Sequence, residues 1–306
     1  MTAFYEFSGL DGVTFGHGTD LVGKTGVTVL RFDAGAVAAV DVRGAAPGTR
    51  ETDLLKPENL IDRVHAIVLA GGSVWGLDAM SGVVRALESA DVGFATGVAR
   101  VPIVTGAVLY DLAVGAADAR PDFEMGRCAA EAARPGGIET GAVGAGVGAT
   151  LGKLYGAQYA SPAGLGAHCT ELDSGHCVAA VVAVNPYGEV YGADGAAIGV
   201  STAPASVRAP GAYAGTATMP GTNTTIGAVL TNATLTKSEA LKISQMAHDG
   251  LARAVRPAHT LYDGDTLFTA ATCKLGAVDV NRLGMLAADA VEQAIRAALP
   301  LSLIHI

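Results

Sequence analysis

Charge and aromatic side chains are scarce in this chain. Of its 306 residues, 16% are charged and 5% are aromatic, with a single tryptophan. The shortage of charge, set against 50% hydrophobic residues, excludes a disordered chain, which is charge-rich and poor in apolar residues. Basic residues are the scarcer sign, 20 against 29 acidic, giving a formal net charge of -9. Such a chain has no ready means of neutralising phosphates, so nucleic acid is not an expected partner. Long apolar runs are also missing. The least charged stretch, 101–109, contains Pro102 and Gly106 and falls far short of the ~20 residues a spanning helix needs, so no membrane association is expected. The first residues, MTAFYEFSGLDG, lack the basic start and apolar run of a signal peptide, and a cytoplasmic location is expected. Cysteine is limited to Cys128, Cys169, Cys177 and Cys273, which suit reduced thiols better than a disulfide framework.

Glycine is abundant, with 41 copies, and mean hydropathy is +0.38, carried mainly by Ala, Val and Leu. A large core with thin polar cover follows, and such chains often hide further surface by assembling into homo-oligomers. No fixed-period repeat or low-complexity linker divides the chain, so one domain over 1–300 is expected. Residues 301–306, LSLIHI, follow a helix that already stops at Pro300 and read as a non-native tail.

The β-rich segments 26–32 and 36–43 flank Asp33-Ala34-Gly35 and predict a hairpin. Further strands are expected at 65–72, on both sides of Asn185-Pro186-Tyr187-Gly188 within 176–192, at 224–232 and at 265–273. Residues 76–90 place apolar side chains at 77, 80, 83, 84 and 87, a helical face. Thr236 with Glu239 forms a capping-box signature for a second helix that ends at Pro257, and a third spans 282–299. Hairpins and helices cluster rather than alternate strictly, which predicts antiparallel sheets covered by helices, an α+β layered domain.

Several tempting motifs fail. GAVGAGVGATLGK (141–153) has Val147 where a P-loop needs its first glycine and Leu154 where it needs Ser or Thr. The plainer reading is a glycine-rich segment that lets backbones approach closely, with room for a functional lysine. The pairs His168-Cys169 and His176-Cys177 match no standard zinc spacing, so no metal is expected. Gly72-Ser73-Val74-Trp75 lacks the closing glycine of a nucleophile elbow. His248 and His259 lie near the segment discussed next, but a lone histidine is more often a structural donor.

That segment is PGTNTTIGAVLTN (220–232), in which a loop delivers Asn223, Thr224 and Thr225 to a strand. Asp263, 39 residues beyond Thr224, opens Asp263-Gly264-Asp265-Thr266 at the entry to another strand. A threonine hydroxyl is a poor nucleophile unless a base assists it. An N-terminal threonine carries its own base, an α-amine with a pKa of ~7.7–8.0. Inside a precursor, such a terminus arises when Thr224 Oγ attacks the Asn223 carbonyl and water resolves the ester.

The ordered blocks HAIVLAGGSVWGLDAMSGVVRAL, VPIVTGAVLYDL, GAVGAGVGATLGK, VVAVNPYG, TNTTIGAVLTN and MAHDGLARAVRPAHTLYDGDTLFTAAT extend over nearly the whole chain. Together they resemble the P1 peptidase family of self-cleaving N-terminal-nucleophile amide hydrolases. That family includes D-/β-aminopeptidases and 6-aminohexanoate-oligomer hydrolases. The resemblance implies an αββα sandwich, no cofactor, and dimers or tetramers of α/β units. It also implies cleavage between Asn223 and Thr224, giving pieces of 223 and 83 residues. Thr224 is then the nucleophile, with Asp263 and Asp265 assisting it, Asn185 as an oxyanion donor, and Lys153 and Tyr110 as donors or orienters near the new amine. Each carried-over residue has a structural alternative: core packing for Tyr110, a solvated loop charge for Lys153, and turn-forming roles for Asn185, Asp263 and Asp265.

The substrate follows from departures within the resemblance. Family aminopeptidases place a glutamate where this chain has Val108, use Ser-x-Glu in place of Asp263-Gly264-Asp265, and often carry serine in place of Thr224. These differences point to internal amide bonds of an apolar oligoamide, as for 6-aminohexanoate-oligomer endohydrolases. The alternatives are an aminopeptidase acting on D- or β-amino acid peptides and an acyltransferase, which some self-exposed threonine enzymes are.

Overall fold

Residues 63–70 show how the layers arise. Ile67 and Leu69 point into a central core shared with Phe268 and Val181, whereas Ala66, Val68 and Ala70 join Met80, Val83 and Leu87 on the other face. A strand buried on both faces in this way must lie between two layers. The computed structural model describes residues 2–208 and 221–300, and eleven strands there form one hydrogen-bonded sheet. They are β1 (Thr2–Glu6), β2 (Thr14–Asp20), β3 (Thr25–Val42), β4 (Gly48–Arg50), β5 (Arg63–Ala70), β6 (Val104–Val108), β7 (Gly137–Gly141), β8 (Leu165–Glu171), β9 (Cys177–Asn185), β10 (Thr224–Thr231) and β11 (Thr266–Ala271). The order is β1-β7-β8-β9-β10-β11-β3-β5-β6-β4, with β2 also on β3. Helices α1 (Asp78–Ser89) and α2 (Phe123–Glu131) cover the β2–β6 part, and α3 (Lys237–Ala254) and α4 (Val280–Ala297) cover the β8–β11 part. The result is the expected αββα sandwich. No helix among the described residues is long and apolar enough to cross a membrane.

Three expectations need correction. The predicted hairpin at 33–35 is absent, and β3 runs straight through it. Its register against β5 shifts between Arg31 and Ala36; residues 25–31 pair with β2 and residues 37–42 with β11, while β5 pairs on both sides of the shift. Gly35 adopts φ +72°, and Arg63 donates from Nη1 to its carbonyl at 2.8 Å, so the turn-like composition makes a bulge that redirects one strand. Secondly, the strands are not all antiparallel. β10 and β11 pair in parallel, as do β5 and β6, because a helix (α3 and α1 respectively) lies between the members of each pair. Thirdly, the strands on either side of residues 186–188 do not pair with each other; Glu189–Tyr191 joins a separate three-stranded sheet. The tail at 301–306 lies outside the described residues.

Local signals were accurate where they were self-contained. Thr236 and Glu239 make both bonds of the capping box at the start of α3, although α3 ends at Ala254 rather than at Pro257. The glycine-rich block does bring backbones together. A Cβ at Gly146 would lie 2.2 Å from the Leu165 nitrogen, and one at Gly148 would lie 2.1 Å from the Lys24 carbonyl oxygen. The paired helices use the same device, since a Cβ at Gly250 would meet the Ala288 carbonyl oxygen at 1.9 Å.

Candidate active site

Strand directions gather the site at one end of the sheet. β9 runs antiparallel to β10, so its last residue, Asn185, pairs with the first residue of β10, Thr224. β11 runs parallel to β10, so the loop entering it, Asp263-Gly264-Asp265, arrives at the same end. Asn223 bridges to Asp263 there. All of these polar residues are buried: Asn185, Asn223 and Asp263 at 0% exposure, Asp265 at 1% and Thr224 at 3%. Buried polar groups persist only when they are bonded, and most of these are.

The Asn223–Thr224 peptide is held from two directions. Thr224 Oγ donates to the Asn223 carbonyl oxygen, which places the hydroxyl against the peptide it is expected to cleave. The Gly264 N–H donates to the same oxygen at 2.9 Å. That oxygen would carry the negative charge of a tetrahedral intermediate, so the Gly264 amide sits where an oxyanion donor must. Gly264 itself is sterically required, because a Cβ there would lie 2.5 Å from the Ala46 carbonyl oxygen and 2.9 Å from Thr224 Oγ.

The two aspartates flanking Gly264 hold this loop in place. Asp263 accepts from the Tyr187 N–H at 3.0 Å, the Thr260 N–H at 3.0 Å and the Thr260 hydroxyl at 2.5 Å. Asp265 accepts from the Thr225 N–H at 2.8 Å through Oδ1, and from the His259 N–H at 3.0 Å and His259 Nδ1 at 2.8 Å through Oδ2. Burial, reinforced by the neighbouring Asp265, raises the Asp263 carboxyl above the usual carboxylate range.

Lys153 enters from the glycine-rich block. Gly152 has φ +71° and turns the chain so that its own N–H and that of Lys153 bond the Gly188 and Tyr187 carbonyls at 2.8 and 2.9 Å. Lys153 Nζ then donates to Asn185 Oδ1 at 2.7 Å and to the Asn185 carbonyl at 3.2 Å. Burial pushes the Lys153 amine down to about 7, against an opposing pull from Asp263. The Asn185 amide is oriented by its partners: Oδ1 also accepts from the Thr150 N–H at 3.0 Å, and Nδ2 donates to the Tyr110 carbonyl at 3.0 Å. The Asn185 amide donor thus engages Tyr110, and the backbone donor on the Asn223 carbonyl is the Gly264 N–H, beside the Thr224 hydroxyl. Tyr110 reaches the site through its carbonyl oxygen. The next residue, Asp111, buried at 2% exposure, ties that segment to the Gly72 N–H and the Thr25 hydroxyl, both at 2.7 Å.

The structure thus brings Thr224, Asn223, Asn185, Lys153, Asp263 and Asp265 together, with Tyr110 at the margin. Gly264, His259 and Thr260 were not singled out as parts of it. The only sequence signal for them is the seven-residue run HTLYDGD, where a histidine and a threonine precede the paired aspartates. His168 and His176 take no part: His176 bonds the Ser174 hydroxyl and the Gly276 carbonyl. No group of three metal-ligating side chains exists among the described residues.

Comparison with known proteins makes the chain an amide-bond hydrolase. The family model for peptidase family S58 matches residues 8–302, and the chain belongs to that family. An uncharacterized aminopeptidase of Mycobacterium leprae (strain TN) is 44% identical over 274 residues, covering 84% of this chain and 72% of the relative. A 6-aminohexanoate-oligomer endohydrolase of Agromyces sp. (strain KY5R) is 34% identical over 270 residues, covering 85% of this chain and 73% of the relative. Among solved structures, the L-aminopeptidase D-Ala-esterase/amidase from Ochrobactrum anthropi, described as a variant of the Ntn hydrolase fold, matches with a TM-score of 0.70. That match covers 97% of this chain and 87% of the other at 16% identity, a likeness of fold.

Proposed function

We propose that the chain cleaves itself between Asn223 and Thr224, and that the liberated Thr224 hydrolyses internal amide bonds of oligoamides. The observation that carries this reading is the placement of Thr224 Oγ on the Asn223 carbonyl, with the Gly264 N–H bound to the same oxygen. In the first step Thr224 Oγ adds to the Asn223 carbonyl carbon. As the C–N bond breaks, the hydroxyl proton passes to the departing Thr224 nitrogen, leaving an ester. Water splits the ester, giving Asn223 a carboxylate and returning the Thr224 hydroxyl beside a free α-amine. With a substrate, that amine takes the hydroxyl proton during attack and gives it to the leaving amine, and water then splits the acyl ester on Thr224, releasing the acid and restoring the hydroxyl. Lys153, with its amine near neutrality and bonded to the register partner of Thr224, is suited to proton exchange with this amine.

The preference for internal bonds rests on the carboxylates. An aminopeptidase must pair the substrate's ammonium with an acceptor near the nucleophile. Here Asp263 and Asp265 each accept three hydrogen bonds from the protein itself. Val108, where family aminopeptidases carry glutamate, is 4% exposed within the apolar layer beneath α1 and offers no acceptor. One observation favours the aminopeptidase reading, namely the name carried by the 44% identical mycobacterial relative. The two readings separate in one assay. An internal-bond hydrolase cleaves amine-capped 6-aminohexanoate oligomers, whereas an aminopeptidase releases p-nitroaniline from aminoacyl anilides and leaves capped oligomers intact. The second outcome would reverse the assignment.

A further inference from the structure

His259 is a half-buried imidazole that the chemistry above does not use, yet it touches the machinery directly. Its backbone is in the left-handed region at φ +56°, a conformation most side chains avoid and asparagine and glycine accept. That conformation lets the His259 N–H and ring Nδ1 converge on one oxygen, Asp265 Oδ2, at 3.0 and 2.8 Å. The other oxygen, Oδ1, takes the Thr225 N–H at 2.8 Å. Both carboxylate oxygens accept from a backbone N–H, so the proton in the ring contact lies on Nδ1. The ring is held from behind by His248, edge to face at 4.8 Å between centroids. His248 is anchored by Nε2 on the Asp41 carbonyl at 3.0 Å. His259 Nε2 is buried without a partner among the described residues, so Nδ1 makes the ring's only hydrogen bond there.

We propose that His259 is a positioning residue for self-cleavage. By clamping Asp265 Oδ2 with two donors it aims Oδ1 at the Thr225 N–H. This fixes the residue that follows the nucleophile and keeps Thr224 Oγ on the Asn223 carbonyl. The inference rests on the self-cleavage reading. Without the ring donor, Asp265 keeps the backbone contact alone and can rotate away from Thr225. The chain of contacts from His248 through His259 and Asp265 to Thr225 links α3 to the nucleophile strand β10, so the active-site end of β10 is aligned by a helix packed beside it.

Three substitutions at one position test this. His259→Asn tolerates the left-handed backbone and places an amide donor close to where Nδ1 stands. His259→Asp has the same size and the same backbone tolerance, but it supplies no donor and sets a carboxylate against Asp265. His259→Gly keeps the backbone unstrained and removes the ring. Each chain is made by cell-free synthesis, and the appearance of the two fragments is followed by time-resolved intact mass, with the thermal midpoint of each product measured alongside. The expected result is cleavage at least tenfold slower for Gly and Asp, with Asn within threefold of the unsubstituted chain and the midpoints of Asn and Asp within a few degrees. Equal rates for Asn and Asp would overturn the proposal, as would an Asn variant as slow as Gly. If Gly fails to fold, the Asn/Asp pair still decides. An unsubstituted chain that never cleaves would instead refute the self-cleavage reading itself.

Discussion

Lys153 is where the structure makes its most quantitative demand. A lysine amine at 5% exposure is costly to keep charged, and burial lowers it from 10.5 to about 7. That fall corresponds to an electrostatic penalty on the order of 5 kcal/mol when the protein folds below pH 7. Replacing Lys153 with methionine removes the penalty and keeps the apolar stem. It also removes the bonds from Nζ to Asn185 Oδ1 and to the Asn185 carbonyl, worth about 1 kcal/mol each. Asn185 Oδ1 retains the Thr150 N–H. Lys153→Met should therefore be more stable by about 2–3 kcal/mol at pH 6. The sign follows from linkage. The native pKa lies below the unfolded one, so between them the unfolded chain binds more protons and the lysine protein gains stability as pH rises. The advantage of methionine should shrink from pH 7 upward and close near about pH 9. The assay is urea unfolding at pH 6, 7.5 and 9, with both proteins carrying Thr224→Ala so that both are uncut chains. A methionine variant less stable at pH 6, or a difference that does not move with pH, would refute the reasoning and show that the lysine is charged and well paired.

Other outcomes follow from the same geometry. Thr224→Ala should yield a single uncut chain on a denaturing gel, since among the described residues no other hydroxyl sits on the Asn223 carbonyl. Gly264→Ala should slow fragment formation at least tenfold, because its Cβ needs space held by Ala46 and Thr224; an unchanged rate on the same gel would remove the Gly264 amide from the mechanism. Gly250→Ala should lower stability by about 1–3 kcal/mol in a denaturant titration, since α3 and α4 would be forced apart at Ala288. Thr236→Ala should cost about 1 kcal/mol by the same measurement through loss of the cap on α3.

The parts of this molecule that were legible in its sequence were those set by neighbours along the chain. Thr236 and Glu239 lie three residues apart, and their bonds form within one helical turn. The α1 helix shows its period in its apolar residues. Asp33-Ala34-Gly35 misled because its turn composition serves a bulge, and what decides between the two is the partner strands β2, β5 and β11, which come from elsewhere. Helix α2 was missed because it is nine residues long and the residues it buries, Gly126, Ala129 and Ala130, are all small. At the site, residue types with evident chemistry stood out: Thr224, Lys153 and the paired aspartates. Gly264 and His259 did not, because one acts through its backbone and the other through a carboxylate. Neither role exists until β9, β10 and β11 are side by side.

The most direct test is the intact mass of the purified, unsubstituted protein under denaturing conditions. Two fragments of 223 and 83 residues, the smaller beginning at Thr224, are the predicted result. A single chain of 306 residues would contradict self-cleavage, and a smaller fragment beginning at Thr225 would move the nucleophile by one residue.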